Sequence, residues 1–543
     1  APTPAPTPAP TPAPAPTPAP SPAPTPVPVI GGVLPQNIVN GSTVLLDCGK
    51  EYRGTLNLFG KSNVTVKTNG TCGKAVITPS QAVTGWSLYS GNIYVADVPF
   101  TVRQLVASGK PLDLAHYPNR DANGSMYLPI TGNYGTAGLN AAGLNIGSNN
   151  PIGAGIKIRN SQYLIEELTV AGYDAGNKGI ALSAAADRPI GWGFYLDGKL
   201  WMLDQPREWV QENGRLYVWM PDGKAPTNIE ATPVGTVAIN AYRSSGVSLD
   251  GIAIRNSEIG IDASGTIGFS FKNGSTENSY NYAIDYEGSS KAILDNLAIT
   301  TSGAAGIRGG DSDNALVTNN VVRDTGTSGN PRTSRMGIMV SSNGTARNNK
   351  VIDSGYIGIL VQANSVADGN TVDGACLVLD DCGGIYTSGK FGTAGGVIGA
   401  TYSRILNNTI SRVTGNPHGK PAGNRLAGYG VFLDDFASNV TIGGNTITTS
   451  QNGLLTRNGH NNVIENNRFD NNLRAHIFFS QNLENSANST YNNIIRNNVM
   501  GAARENVYLL FLSTPGDVTK FATYSGNTYP LALQDKFADV DGY

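Results

Sequence analysis

"GIMVSSNGTARNNKVIDSGYIGILVQANSVADGNTV", Gly337 to Val372, carries the repeat that decides the fold. A glycine followed by aliphatic residues stands at Gly337 and returns 21 residues later at Gly358. An asparagine two residues before a valine stands at Asn349 and returns, also after 21, at Asn370. Working outward, the two signatures alternate: Gly306, Asn320, Gly337, Asn349, Gly358, Asn370, Gly384, Asn408, Gly430, Asn445, Gly453, Asn467, then His476 in the glycine's place, then Asn498. A repeat of about 21 residues with short strands and polar corners is one coil of a parallel β-helix. Aliphatic residues then point inward and polar ones outward, the period-two rule of a strand. Asparagines stacked at one corner are expected to form side-chain hydrogen-bond ladders along the axis.

Earlier coils show more faintly in "VAINAYRSSGVSLDGIAIRNS" from Val237 and "AILDNLAIT" from Ala292. Ser42 to Gly70 reads as the N-terminal coils and cap. Between about 121 and 232 the rhythm is lost, and Gly191 to Gly223 holds four of the five tryptophans. The expected organisation is a linker over 1–28, a cap and first coils over 29–120, a small β-rich insertion over 121–232, and the main helix over 233–543.

The first 28 residues, almost all Ala, Pro and Thr, cannot build a core and are expected to run as a disordered, extended spacer. The net charge is −2 and 14% of residues are charged, so no basic footprint for nucleic acid exists. No run of 18 apolar residues suggests a membrane span. Four cysteines fall into two local pairs, Cys48 with Cys72 and Cys376 with Cys382, which suits disulfides in an oxidising compartment. A secreted or cell-surface monomer is the expectation.

Coil length points to function. Glycine-to-asparagine intervals are 14, 12 and 12 residues from Gly306, Gly337 and Gly358, but 24 from Gly384 to Asn408. Asparagine-to-glycine intervals are 8 and 9 later on, but 22 from Asn408 to Gly430. One coil therefore carries two long loops, and long loops on a rigid scaffold are where function concentrates. Asp380 and Asp381 lie just before that coil, Asp434 and Asp435 just after its closing glycine. Neighbouring coils are about 4.8 Å apart. Carboxyls on them fall within the range used for glycoside hydrolysis, one giving a proton to the leaving oxygen and the other acting on water or the anomeric carbon. The opposing reading makes both doublets solvated turns. Along a straight strand Asp381 and Asp434 would be more than about 20 Å apart, so a corner at "DCGG" has to bring Asp381 round.

Neighbouring residues are candidates for substrate binding. Ser388, Asp434 and Arg457 should stack on successive coils, with Arg457 orienting Asp434, gripping an acidic sugar or forming a surface ion pair. Tyr386 is a sugar platform or a core-edge aromatic. His418 and Lys420 sit in the second long loop, Lys390 just after "IYTSG", and His460 is a proton relay or a corner residue.

At this point the chain resembles the secreted right-handed parallel β-helix carbohydrate-active enzymes of the pectate-lyase-like superfamily, and among them the β-helix glycoside hydrolases. "VRQLVASGKPLDLAHYPN" from Val102, "MLDQPREWVQENGRLYVWMPDG" from Met202, and "DCGGIYTSGK" followed by "GVFLDDFASNVTIGGN" carry the resemblance. It implies Asp381 and Asp434 as the catalytic pair and a polysaccharide as substrate. His116 and Arg207 depart from the pattern, where Arg and Gly are usual. Three functions follow: a hydrolase, with no cofactor; a lyase or epimerase acting on uronates, with Lys390 or Arg457 as base or neutraliser and Ca²⁺ as a possible cofactor; or a non-enzymatic carbohydrate-binding fibre.

Overall fold

The computed structural model describes residues 27–29, 32–327, 335–390, 401–481, 489–512, 517–530 and 538–542. Nearly all of the expected spacer, and residues 391–400 of the first long loop, lie outside these. Val27–Val29 belongs to the fold: it pairs in parallel with Thr43–Asp47, so the spacer gives way to the helix before residue 29.

Each coil has three short strands, and like strands stack in parallel into sheets of 14, 12 and 13 strands, here the first, second and third sheets. Inward residues form columns. In the first sheet Val317, Ala346, Ala367, Ile405, Ile442, Ile464 and Ile495 are successive register partners and fully buried. Burying one such aliphatic side chain contributes about 1.5–3 kcal/mol. Each coil thus adds its own increment against its neighbours.

The corner after the first sheet explains the asparagines. Asn349 Oδ1 accepts from the backbone N–H of Asn320 at 3.0 Å and from its Nδ2 at 2.9 Å. The pattern repeats through Asn370, Asn408, Asn445, Asn467 and Asn498 to Asn527. The residue before each ladder position has left-handed backbone: Asn319, Asn348, Asn407, Asn466 and Asn497 at φ 54 to 57°, Gly369 and Gly444 at 65 and 69°. Asparagine and glycine are the residues that tolerate that conformation. Hence the corner reads Asn-Asn or Gly-Asn: the first residue turns the chain and the second enters the ladder.

The insertion is larger than its sequence suggests. The second coil runs Thr65–Asn69, Ala75–Thr78, then leaves the helix and returns only at Val237–Asn240. Residues 81–120, expected in the first coils, instead enter small, mostly antiparallel sheets with 121–233. Their alternating pattern is that of any half-buried strand, and the partner strand is not encoded locally. The insertion has its own apolar cores, one around Ile156, Phe194 and Leu196. It leans along the corner between second and third sheets, through Thr232 Oγ1 to Asn256 O (3.0 Å), Asn278 Nδ2 to Gly109 O (3.1 Å) and Arg159 Nη1 to Asn416 O (3.0 Å).

Both disulfides are formed, Cys48–Cys72 and Cys376–Cys382. Among the described residues no helix is long and apolar enough to cross a membrane.

Candidate active site

Three consecutive third-sheet strands carry the site: Cys382–Ser388, Gly428–Asp434 and Asn452–Arg457. Ser388 is the register partner of Asp434, and Leu433 that of Thr456, so Asp434 lies between Ser388 and Arg457. The column counted from the glycines is therefore present.

Asp381 precedes the first of these strands, in left-handed backbone at φ 55°. Cys382 pairs with Gly428, six residues from Asp434, which in a straight strand is about 20 Å. The strand is not straight. A Cβ on Gly383 would lie 2.8 Å from the carbonyl oxygen of Ile385, two residues on, and 3.0 Å from Phe432 Cβ, so the chain folds sharply towards its outward face there. The Cys376–Cys382 bridge and the Tyr356 hydroxyl, which donates to Asp381 O at 3.0 Å, hold the corner.

The fold brings the two carboxyls into electrostatic contact. Burial pushes Asp381 up to about 7, Asp434 adds to the rise, and Arg457 partly opposes it. Burial and the charge of Asp435 also raise Asp434. Asp434, however, is surrounded by groups that favour its ionised form. Tyr386 Oη donates to Oδ2 at 2.8 Å, the Asp435 N–H donates to Oδ1 at 2.8 Å, and Arg457 Nη1 lies 3.5 Å away. Arg457 is held in return, its pKa raised by Asp434 and Asp435 against the pull of burial. Both aspartates keep part of their surface open to solvent.

The other candidates separate. Asp380 is wholly buried and ion-paired with Lys420, whose side chain is 2% exposed. Asp380 also accepts from the Ala427 N–H at 2.6 Å, and its own N–H donates to Gln162 O at 2.9 Å. This corrects the expectation for both residues: the pair clamps the 414–427 loop to the corner and faces no open groove. A Cβ at Gly415 (φ 86°) would strike Asp380 Oδ1, so only glycine lets the loop approach. Asp435 holds Lys390 Nζ at 2.6 Å, and Lys390, 54% exposed, stands at the rim. Tyr386 is buried edge-on to Phe432 and orients Asp434; it is not an open sugar platform. The backbone carbonyl of His418 accepts from Arg159, and burial lowers the pKa of its ring, which interacts with Asp121 and Asn123 of the insertion. His460 is a corner residue, stacked on Tyr491 at 4.5 Å and hydrogen-bonded to Ser438. His418, Lys420 and His460 are thus packed into corner and loop structure.

Two tyrosines were missed. Tyr356 stands two residues before Gly358, as Cys382 stands before Gly384, so coil counting could have placed it one coil below Cys382, next to Asp381. Tyr163 comes from the insertion and is 52% exposed; it interacts with Tyr356, while its neighbour Gln162 binds Asp380. No local signal marks it. Among the described residues no group of three or more His, Cys, Asp or Glu is placed to hold a metal ion.

Parallel β-helix with paired carboxyls on adjacent coils is the class these features define. The model of the right-handed beta helix region matches residues 237–395 and 337–508, and the chain belongs to that family. A search of curated protein sequences found no match. Among solved structures, the chain is similar to one described as a glycoside hydrolase, at 11% identity and TM-score 0.57, covering 92% of this chain and 91% of that one. It is also matched to the mannuronan C-5 epimerase AlgE4 A-module of Azotobacter vinelandii (12% identity, TM-score 0.32, 56% and 84% covered). A third match is the tailspike protein gp49 from Pseudomonas phage LKA1 (14%, 0.35, 92% and 74%). At 11% identity the likeness to the first of these is one of fold.

Proposed function

We propose that this protein is a secreted glycoside hydrolase that cleaves an extracellular or cell-wall polysaccharide. The supporting observation is the unequal environment of two coupled carboxyls. Asp381, raised to about 7, keeps its proton near neutrality and serves as general acid towards the glycosidic oxygen. Asp434, with Tyr386, Arg457 and the Asp435 N–H favouring its anion, is the carboxylate that acts on water or on the anomeric carbon. Both carboxyls are raised, and the ion-favouring contacts around Asp434 support giving it the base's role and Asp381 the acid's. The disulfides fit an oxidising compartment.

The test is a panel of polysaccharides assayed together for new reducing ends and for ultraviolet absorbance. Reducing ends without absorbance support hydrolysis. An unsaturated, absorbing product replaces this reading by a lyase. Turnover that survives loss of both Asp381 and Asp434 overturns the assignment of residues.

A further inference from the structure

A cavity of about 360 Å³ lies away from the acid pair, between the insertion and the helix. The helix lines it with Tyr280 and Gly303, at the corner between second and third sheets in the fourth and fifth coils. Asp381 occupies the same corner of the eighth coil, so three coil steps, about 14 Å along the axis, separate Gly303 from it.

The walls carry polar groups, some buried and some at the rim. Lys157 is buried, with Nζ 3.0 Å from Asp197 Oδ2 and also paired with Glu167. His116, 8% exposed, has Nδ1 3.0 Å from Glu208 Oε1. Arg103 covers the Tyr280 ring at 5.1 Å and lies 3.3 Å from Glu258.

We infer that this cavity is a binding site for one neutral sugar unit. The lining is balanced in charge: Arg103, Arg120 and Lys157 stand against Asp113, Glu167 and Asp197. A phosphate or uronate needs a surplus of cations, and here Lys157 and Arg103 already face their own carboxylates. Sugar hydroxyls both donate and accept, which matches alternating ammonium, carboxylate and imidazole groups. Leu112, Val210 and Trp209 supply the apolar floor that the C–H face of a pyranose needs. The volume suits a monosaccharide or a short oligosaccharide end. The inference does not depend on the roles of Asp381 and Asp434.

Trp209 at the wall gives the readout. The full chain is labelled with 5-fluorotryptophan, its resonances assigned through Trp209→Phe, and titrated with glucose, galactose, mannose and xylose, and with glucuronate and galacturonate. A neutral sugar should shift the Trp209 resonance saturably, at about millimolar concentration. The exposed rim variant Asp113→Ala/Arg120→Ala should fold normally and weaken binding about tenfold or more. Binding should persist in Asp434→Asn. No saturable shift by any neutral sugar up to about 100 mM overturns the site. Preference for the uronates overturns the neutral ligand. A shift lost in Asp434→Asn but kept in the rim variant shows that the sugar occupies the acid cleft instead, and also overturns it.

Discussion

The Tyr386 hydroxyl donates to Asp434 Oδ2 at 2.8 Å, across the boundary between two adjacent coils. It therefore ties the charge state of Asp434 to the stacking of the strands. A hydrogen bond to a charged group is worth about 1.5–3 kcal/mol. Tyr386→Phe should raise the pKa of Asp434, because its anion loses the donated hydrogen bond. The acid limb of the kcat/KM profile should move to higher pH, with little change in fold by circular dichroism.

Asp381→Asn removes the proposed acid and Asp434→Asn the proposed base. Each should lower turnover of a natural glycan by about 10²–10⁴-fold. They should differ on an aryl glycoside with a good leaving group, which needs little protonation. There Asp381→Asn should retain much more activity than Asp434→Asn. Equal losses on both substrates would contradict the division of roles.

Asp381 also predicts a pH dependence of stability. Its carboxyl titrates near 4 when unfolded and at about 7 when folded. Between those values the folded chain binds the extra proton, so this group's contribution to stability falls as pH rises, and levels off above about 7. Asp381→Asn should therefore be more stable than wild type at pH 8, by about 1–3 kcal/mol, and close to it at pH 4. Chemical denaturation at the two pH values measures the difference.

The buried Asp380–Lys420 pair predicts the opposite behaviour. Removing one member leaves a buried charge bare, so Asp380→Asn or Lys420→Met should each cost about 3–5 kcal/mol. The double variant should lose less than the two single losses added, since neither charge is stranded. Thermal melts of all three variants test the cycle.

Much of this site was readable from spacing. The glycine and asparagine series located the coils, because every coil needs the same left-handed corner and the same ladder position. Counting from Gly430 and Gly453 put Arg457 beside Asp434, since parallel register is one residue deep and unbroken there. Counting failed for Asp381, where Gly383 lets the strand fold and register no longer measures distance. It failed also for Asp380 against Asp381. Neighbours in sequence, they point to opposite sides of a corner, one into a clamp with Lys420 and one towards Asp434.

The insertion marks the same limit. Its alternating strands were visible as strands, but not where they began or which sheets they joined, and Tyr163 reached the site without any local mark. Periodicity is a property of the chain, and it sets the solenoid, the asparagine corner and the stacked column of Ser388, Asp434 and Arg457. Which aspartate is buried, how far each carboxyl's pKa rises and which insertion loop stands beside them depend on partners dozens to hundreds of residues away. Desolvation and charge coupling act through space, so those assignments exist only once the coils and the insertion have packed together.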